Sequence, residues 1–232
     1  ADGRPRHVRI QSEKESRKRH RRASKIKKSV KKPDDTPTSM KKSIPTCIVG
    51  IGGSAGALNA YKALLEHLPA DTGMAFVIVS HMNPEAYSQL AQILAGHTKM
   101  PALVASAAMP IKANHLYVIP ADADLEVEKN RFKVTSPRSR RNAQIDLFFV
   151  SIAEAFRDRA IGVIFSGYDG DGTAGCKHIK EKGGITFAQD KSAEVDAMPV
   201  SAQSSGYVDS VLPPDKIAAA LIEIGARFAR SD

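Results

Sequence analysis

Cysteine is scarce: the 232 residues include only Cys47 and Cys176, each set among residues that look buried. Two such thiols make no disulfide framework and fit a reducing compartment. No apolar run approaches the length of a membrane span, and the N-terminus lacks the apolar core of a secretory signal. A mitochondrial presequence fits poorly too, because the basic tail has little apolar face and several acids. The histidines form no recognisable metal-ligand spacing, which argues against a zinc site. Positive charge, by contrast, is plentiful but confined to one place. Residues 1–42 hold 16 Lys+Arg against 5 Asp+Glu, a net of +11, while the remainder holds 18 against 20, a net of −2. The basic balance therefore belongs to the tail.

From Ala1 to about Lys42 there are almost no large apolar residues. Such a segment cannot bury enough surface to offset its conformational entropy, and it is predicted to be disordered. An anionic membrane surface or nucleic acid is its candidate partner. A solvated tail or linker is the simpler expectation, since no aromatics are interleaved with the charges. Residues 43–232 are predicted to form one α/β domain.

Within that domain, short β-branched runs read as strands at Cys47–Gly52, Met74–Ser80, Ala102–Ala105, Leu116–Ile119, Ala160–Phe165, Ile185–Ala188 and Tyr207–Leu212. Leu58, Tyr61, Leu64, Leu65 and Leu68 recur at helical spacing after the first strand. Asn83-Pro84 opens a second helix, Pro84 suiting a first turn. Ile145, Phe148, Phe149, Ile152 and Phe156 mark a third. Further helices run to Lys182 and from Pro214. Leu125/Val127 and Phe132/Val134 flank Lys129-Asn130-Arg131 as a small β-hairpin. This alternation predicts a doubly wound, mostly parallel sheet with helices on both faces.

Catalytic groups in such sheets sit beyond the carboxyl ends of the strands. Gly52-x-Ser54-x-Gly56 follows one strand and precedes a helix, the context of a nucleophile elbow. The same stretch satisfies a relaxed dinucleotide fingerprint, Gly50-x-Gly52-x-x-Ala55. That reading wants a ribose-binding acid after the second strand, where Ser80-His81-Met82 stands instead. A tight turn without chemistry is the third reading. His81 would supply a general base beside Ser54. Asp169 and Asp171, both in the loop after Phe165, are candidates for the orienting carboxylate. Spacing alone does not choose between them. The common hydrolase order Ser…Asp…His fails, because His178, the one histidine after them, falls inside a predicted helix.

Together these turns resemble the catalytic domain of the chemotaxis protein-glutamate methylesterases of the CheB type, over about Ile44 to Leu221. Its pieces are Gly-x-Ser-x-Gly after the first strand, His81-Met82 after the second, and Ser166-Gly167 followed by Asp171-Gly172-Thr173. Ile145-Asp146-Leu147-Phe148-Phe149 and Met198-Pro199 also resemble that family. The resemblance implies a triad of Ser54, His81 and Asp171, with backbone amides near Ala55 and Tyr168 as the oxyanion site. It implies a cytoplasmic serine hydrolase that needs no cofactor. Its substrates would be glutamate γ-methyl esters on chemoreceptor helices, with glutamine deamidation as a second activity. A glutamate methyltransferase would work in the same system.

Several residues depart from the pattern. Ala57 replaces a usual Gly and is expected to tighten the turn. Tyr168 stands where a small residue or Met is usual, and Asp169 where the residue is commonly neutral. Asn142-Ala143-Gln144 replaces an Arg-Pro-Ser pattern, which bears on substrate contacts. With a basic tail in place of a receiver domain, the expected form is a stand-alone esterase module or the esterase part of a longer chain. The departures also motivate the alternative of a binding or scaffolding module that has lost turnover.

Overall fold

The computed structural model describes residues 44–81 and 87–230. Seven strands form the main sheet: β1 (Ile48–Gly53), β2 (Ala75–Ser80), β3 (Ala102–Val104), β4 (His115–Val118), β7 (Ala160–Ile164), β8 (Ile185–Gln189) and β9 (Ser210–Leu212). They run in the order β3-β4-β2-β1-β7-β8-β9, every neighbouring pair parallel. β5 (Asp124–Glu128) and β6 (Arg131–Thr135) form the separate antiparallel hairpin. Its tip, Lys129-Asn130, has φ of 50° and 59°, the left-handed pair that a two-residue hairpin turn requires.

The helices among the described residues are α1 (Ala57–Glu66), α2 (Tyr87–Ala95), α3 (Gln144–Phe156), α4 (Thr173–Glu181), α5 (Ala197–Ser204) and α6 (Pro214–Ala229), and a 3-10 turn at Arg157–Arg159 follows α3. Two buried clusters lie on opposite faces of the sheet. One joins Val49, Ile51, Phe76 and Ile78 to Tyr61, Leu64 and Leu65 of α1, Leu90 and Leu94 of α2, and Ile217 and Leu221 of α6. The other joins Val77 and Val79 to Phe148, Phe149 and Ile152 of α3, Cys176 and Ile179 of α4, and Met198 of α5. Each such large apolar side chain, once buried, contributes about 1.5–3 kcal/mol.

α3 presses closely on β1. A Cβ at Gly52 would lie 2.6 Å from Ile145 Cγ2, and one at Gly50 would lie 2.8 Å from Phe149 Cε1. These glycines thus serve helix–sheet packing, which removes the need for a phosphate ligand to explain them.

One expected boundary is untested and two features differ from expectation. The opening of α2 at Asn83-Pro84 lies outside the described residues, as does the tail. β9 is shorter than the predicted Tyr207–Leu212, because Thr186 and Asp209 redirect that backbone. Thr186 Oγ1 donates to the Tyr207 carbonyl at 2.7 Å, and the Asp209 carboxylate accepts the Thr186 N–H at 2.8 Å. α5 was not expected at all: it is short, with Pro199 in its first turn and only Met198, Pro199 and Ala202 buried.

Candidate active site

The β1–β2 register ends with Gly53 opposite Ser80. Ser54 and His81 therefore leave the sheet side by side, one residue beyond it. The Ser54 N–H donates to the Ser166 carbonyl at 2.8 Å, which ties this turn to the end of β7. Gly56 then takes a φ of 73° before α1 begins. A Cβ there would lie 2.7 Å from Ser166 Oγ, so both conformation and space call for glycine.

Ser166 supports the turn from beneath. It is fully buried. Its hydroxyl donates to the Ala55 carbonyl at 2.7 Å and accepts the Val195 N–H at 2.9 Å. Its own N–H donates to Gln189 Oε1 at 3.1 Å. Sequence reasoning recognised Ser166 only as part of a motif and missed Gln189. Their roles depend on turns brought together in space, for which local spacing carries no signal.

Asp171 is buried at the start of α3. Its Oδ2 accepts the Ile145 N–H at 3.0 Å and its Oδ1 the Asp146 N–H at 2.9 Å. α3 begins after Ala143, which makes no side-chain cap, so Asp171 satisfies orphan amides from outside the helix. The helix dipole favours a carboxylate there. Asp146 reciprocates, accepting the Gly175 N–H in the first turn of α4 at 2.7 Å. Burial pushes the Asp146 carboxyl above the usual range, and the charge of Asp171 adds to that.

His81 Nε2 meets Asp171 Oδ2 at 2.6 Å. Burial opposes charging this imidazole, but the hydrogen bond and charge of Asp171, joined by Asp169, outweigh it and raise its pKa. Nδ1 lies 3.3 Å from Asp169 Oδ2, within ion-pair reach but not aligned as a hydrogen bond. Asp169 Oδ1 in turn accepts the Asp171 N–H at 3.2 Å. No hydrogen bond joins Ser54 to His81 among the described residues.

The N–H groups of Ala55 and Tyr168 donate to no backbone carbonyl among the described residues, while the Tyr168 side chain is 74% exposed. Ala57 opens α1 and is buried in the core, so its methyl packs beneath the turn. Gln144 is also buried: its amide donates to Asp124 Oδ1 at 3.0 Å and to the Arg140 carbonyl at 2.5 Å. It thus ties the hairpin to the loop before α3. Beside Ser54, a small cavity of about 110 Å³ is walled mainly by Leu58, Tyr61, Leu90 and Ile93.

The other described histidines lie elsewhere. His97 pairs with Glu66 at 2.6 Å, and His178 sits within α4, as the chain-order argument requires. Neither Cys47 nor Cys176 forms a disulfide, and both are buried. Burial pushes the Cys176 thiol up to about 12, so it stays protonated. Among the described residues, no group of three or more His, Cys, Asp and Glu is arranged to hold a metal ion. Nor is any described helix long and apolar enough to cross a membrane.

Residues 49–221 match the family model described as CheB methylesterase. A Leptospira interrogans protein, provisionally named protein-glutamate methylesterase/protein-glutamine glutaminase, is 35% identical over 178 residues, covering 75% of this chain and 92% of the relative. A Burkholderia lata protein-glutamate methylesterase/protein-glutamine glutaminase 2 is 36% identical over 185 residues, covering 75% of this chain. The match spans 53% of that Burkholderia relative, about half its length. The crystal structure of the Thermotoga maritima CheB methylesterase catalytic domain superposes with a TM-score of 0.71 at 31% identity, over 77% of this chain and 98% of that one.

Proposed function

The chain belongs to the CheB methylesterase family, and on that premise we propose that it is a serine hydrolase of protein glutamate γ-methyl esters. Glutamine deamidation is a second activity of the same site. The observation that carries the proposal is the 2.6 Å contact of His81 Nε2 with buried Asp171, beside the Ser54 turn.

In the reaction, His81 Nδ1 accepts the Ser54 proton while Oγ attacks the ester carbonyl. Asp171 holds the ring and stabilises its positive charge. The N–H groups of Ala55 and Tyr168 donate to no backbone carbonyl among the described residues and are offered to the oxyanion. Collapse of the tetrahedral intermediate breaks the bond to the methoxy oxygen, which leaves as methanol with the proton from His81. Water then attacks the acyl-enzyme, giving its proton to His81, and free glutamate and Ser54 are restored. The side-chain ester lies on helices of methyl-accepting chemoreceptors, in the cytoplasm, where a glutamate methyltransferase supplies the methyl groups. The basic residues 1–42 are a tail suited to an anionic surface or nucleic acid.

Methanol release from methylated receptor tests this reading, compared between wild type and Ser54→Ala. The expected loss is on the order of 10⁴-fold or more. Equal release by both would remove Ser54 from the chemistry. The second reading, a scaffolding module without turnover, draws on the Asp169 carboxylate at His81 Nδ1. It predicts no methanol from either protein.

A further inference from the structure

Both nitrogens of His81 face carboxylates. Nε2 is committed to Asp171 at 2.6 Å, so Nδ1 must be the atom that serves Ser54. Yet Asp169 Oδ2 stands 3.3 Å from that same atom, and no hydrogen bond from Ser54 reaches it among the described residues. Asp169 is not a stray surface acid. Its other oxygen caps the Asp171 N–H at 3.2 Å, which fixes the carboxylate beside the ring. The side chain is 29% exposed, so the carboxylate is also partly open to solvent.

We propose that Asp169 is a positioning residue that holds His81 in a resting arrangement, occupying the ring nitrogen Ser54 needs until substrate engages. This rests on the reading of Ser54, His81 and Asp171 as a triad. A protonated imidazole is paired with both acids at once, and that state cannot accept the serine proton. The Ser54 hydroxyl, drawn forward by an incoming ester carbonyl, competes with Asp169 for Nδ1. Turnover is then linked to the loss of one ion pair. The charged groups facing His81 among the described residues are Asp169 and Asp171, both on the loop between β7 and α4. Asp146, on α3, lies behind Asp171. The turn carrying Ser54 contributes no charge.

The signs follow directly. Activity needs neutral His81, and both acids favour its protonated form. Removing the Asp169 charge therefore lowers the pH at which the base becomes available. Asp169→Asn keeps an oxygen for the Asp171 N–H and replaces Oδ2 with an amide that cannot accept a proton from Nδ1. The acid limb of kcat/KM is expected to move down by about one pH unit. Turnover well below the limb should rise up to about tenfold.

The His81 ring resonances, followed by NMR in the Ser54→Ala background, should titrate lower by the same amount when D169N is added. An unmoved titration overturns the contact. A titration that moves while the acid limb does not overturns the positioning role. If Ser54→Ala turns over like wild type, the triad reading fails instead, and the NMR titration still decides the Asp169 contact by itself.

Discussion

Ser166 shows how a residue with no proposed chemical step of its own holds the one proposed as nucleophile. Its hydroxyl bridges the Ala55 carbonyl and the Val195 N–H, while its carbonyl receives the Ser54 N–H. The serine's place over the sheet therefore depends on a side chain more than a hundred positions away. Ser166→Ala would leave two backbone groups without that partner, at about 1–3 kcal/mol of stability in urea titration. Turnover should fall by about 10²-fold through a loosened turn, with KM little changed. Ser54, His81 and the pair Asp169/Asp171 were legible as candidates because each follows a readable strand. Ser166 and Gln189 were not, because a buried hydroxyl and amide acting on remote backbone leave no periodic or compositional trace. The choice between Asp169 and Asp171 was open for the same reason: two acids one residue apart differ only in what the fold aims at them. In the structure Asp171 caps α3 through two amides and bonds Nε2, while Asp169 faces the other nitrogen.

At the scale of elements, α3 is the part on which the site depends. Its first turn donates to Asp171, and its Asp146 caps α4 in return, so the two helix starts brace one another across the site. Neither helix carries a side-chain cap of its own. This makes their starts hard to locate from sequence, although the Ile145, Phe148, Phe149, Ile152 spacing announced α3 itself. The strands were easier, since buried parallel strands read as continuous β-branched runs. α5 escaped because eight residues beginning Ala-Met-Pro offer too few apolar positions to set a period. Gly52→Ala tests the bracing. The new Cβ would meet Ile145 Cγ2 at 2.6 Å and push α3 from β1, with an expected loss of about 1–3 kcal/mol. Because the Ile145 amide holds Asp171, turnover should fall further than the unfolded fraction accounts for. Activity measured on the folded protein, normalised by circular dichroism, checks this.

Across the whole molecule, the strand order explains why three distant turns meet. β1 lies between β2 and β7. The chain builds outward from β1 through β2 and β4 on one side, then returns to place β7 on the other. Site residues follow the carboxyl ends of all three strands at this reversal, where open parallel sheets leave a crevice. On the proposed reading, Ser54, His81 and Asp171 act as one unit there. This is tested by methanol release from methylated receptor for Ser54→Ala, His81→Ala and the double variant. Residues that act as a unit are strongly non-additive, so the double variant is predicted to lose about as much as the worse single one, on the order of 10⁴-fold or more. Losses that multiply in the double variant would contradict it.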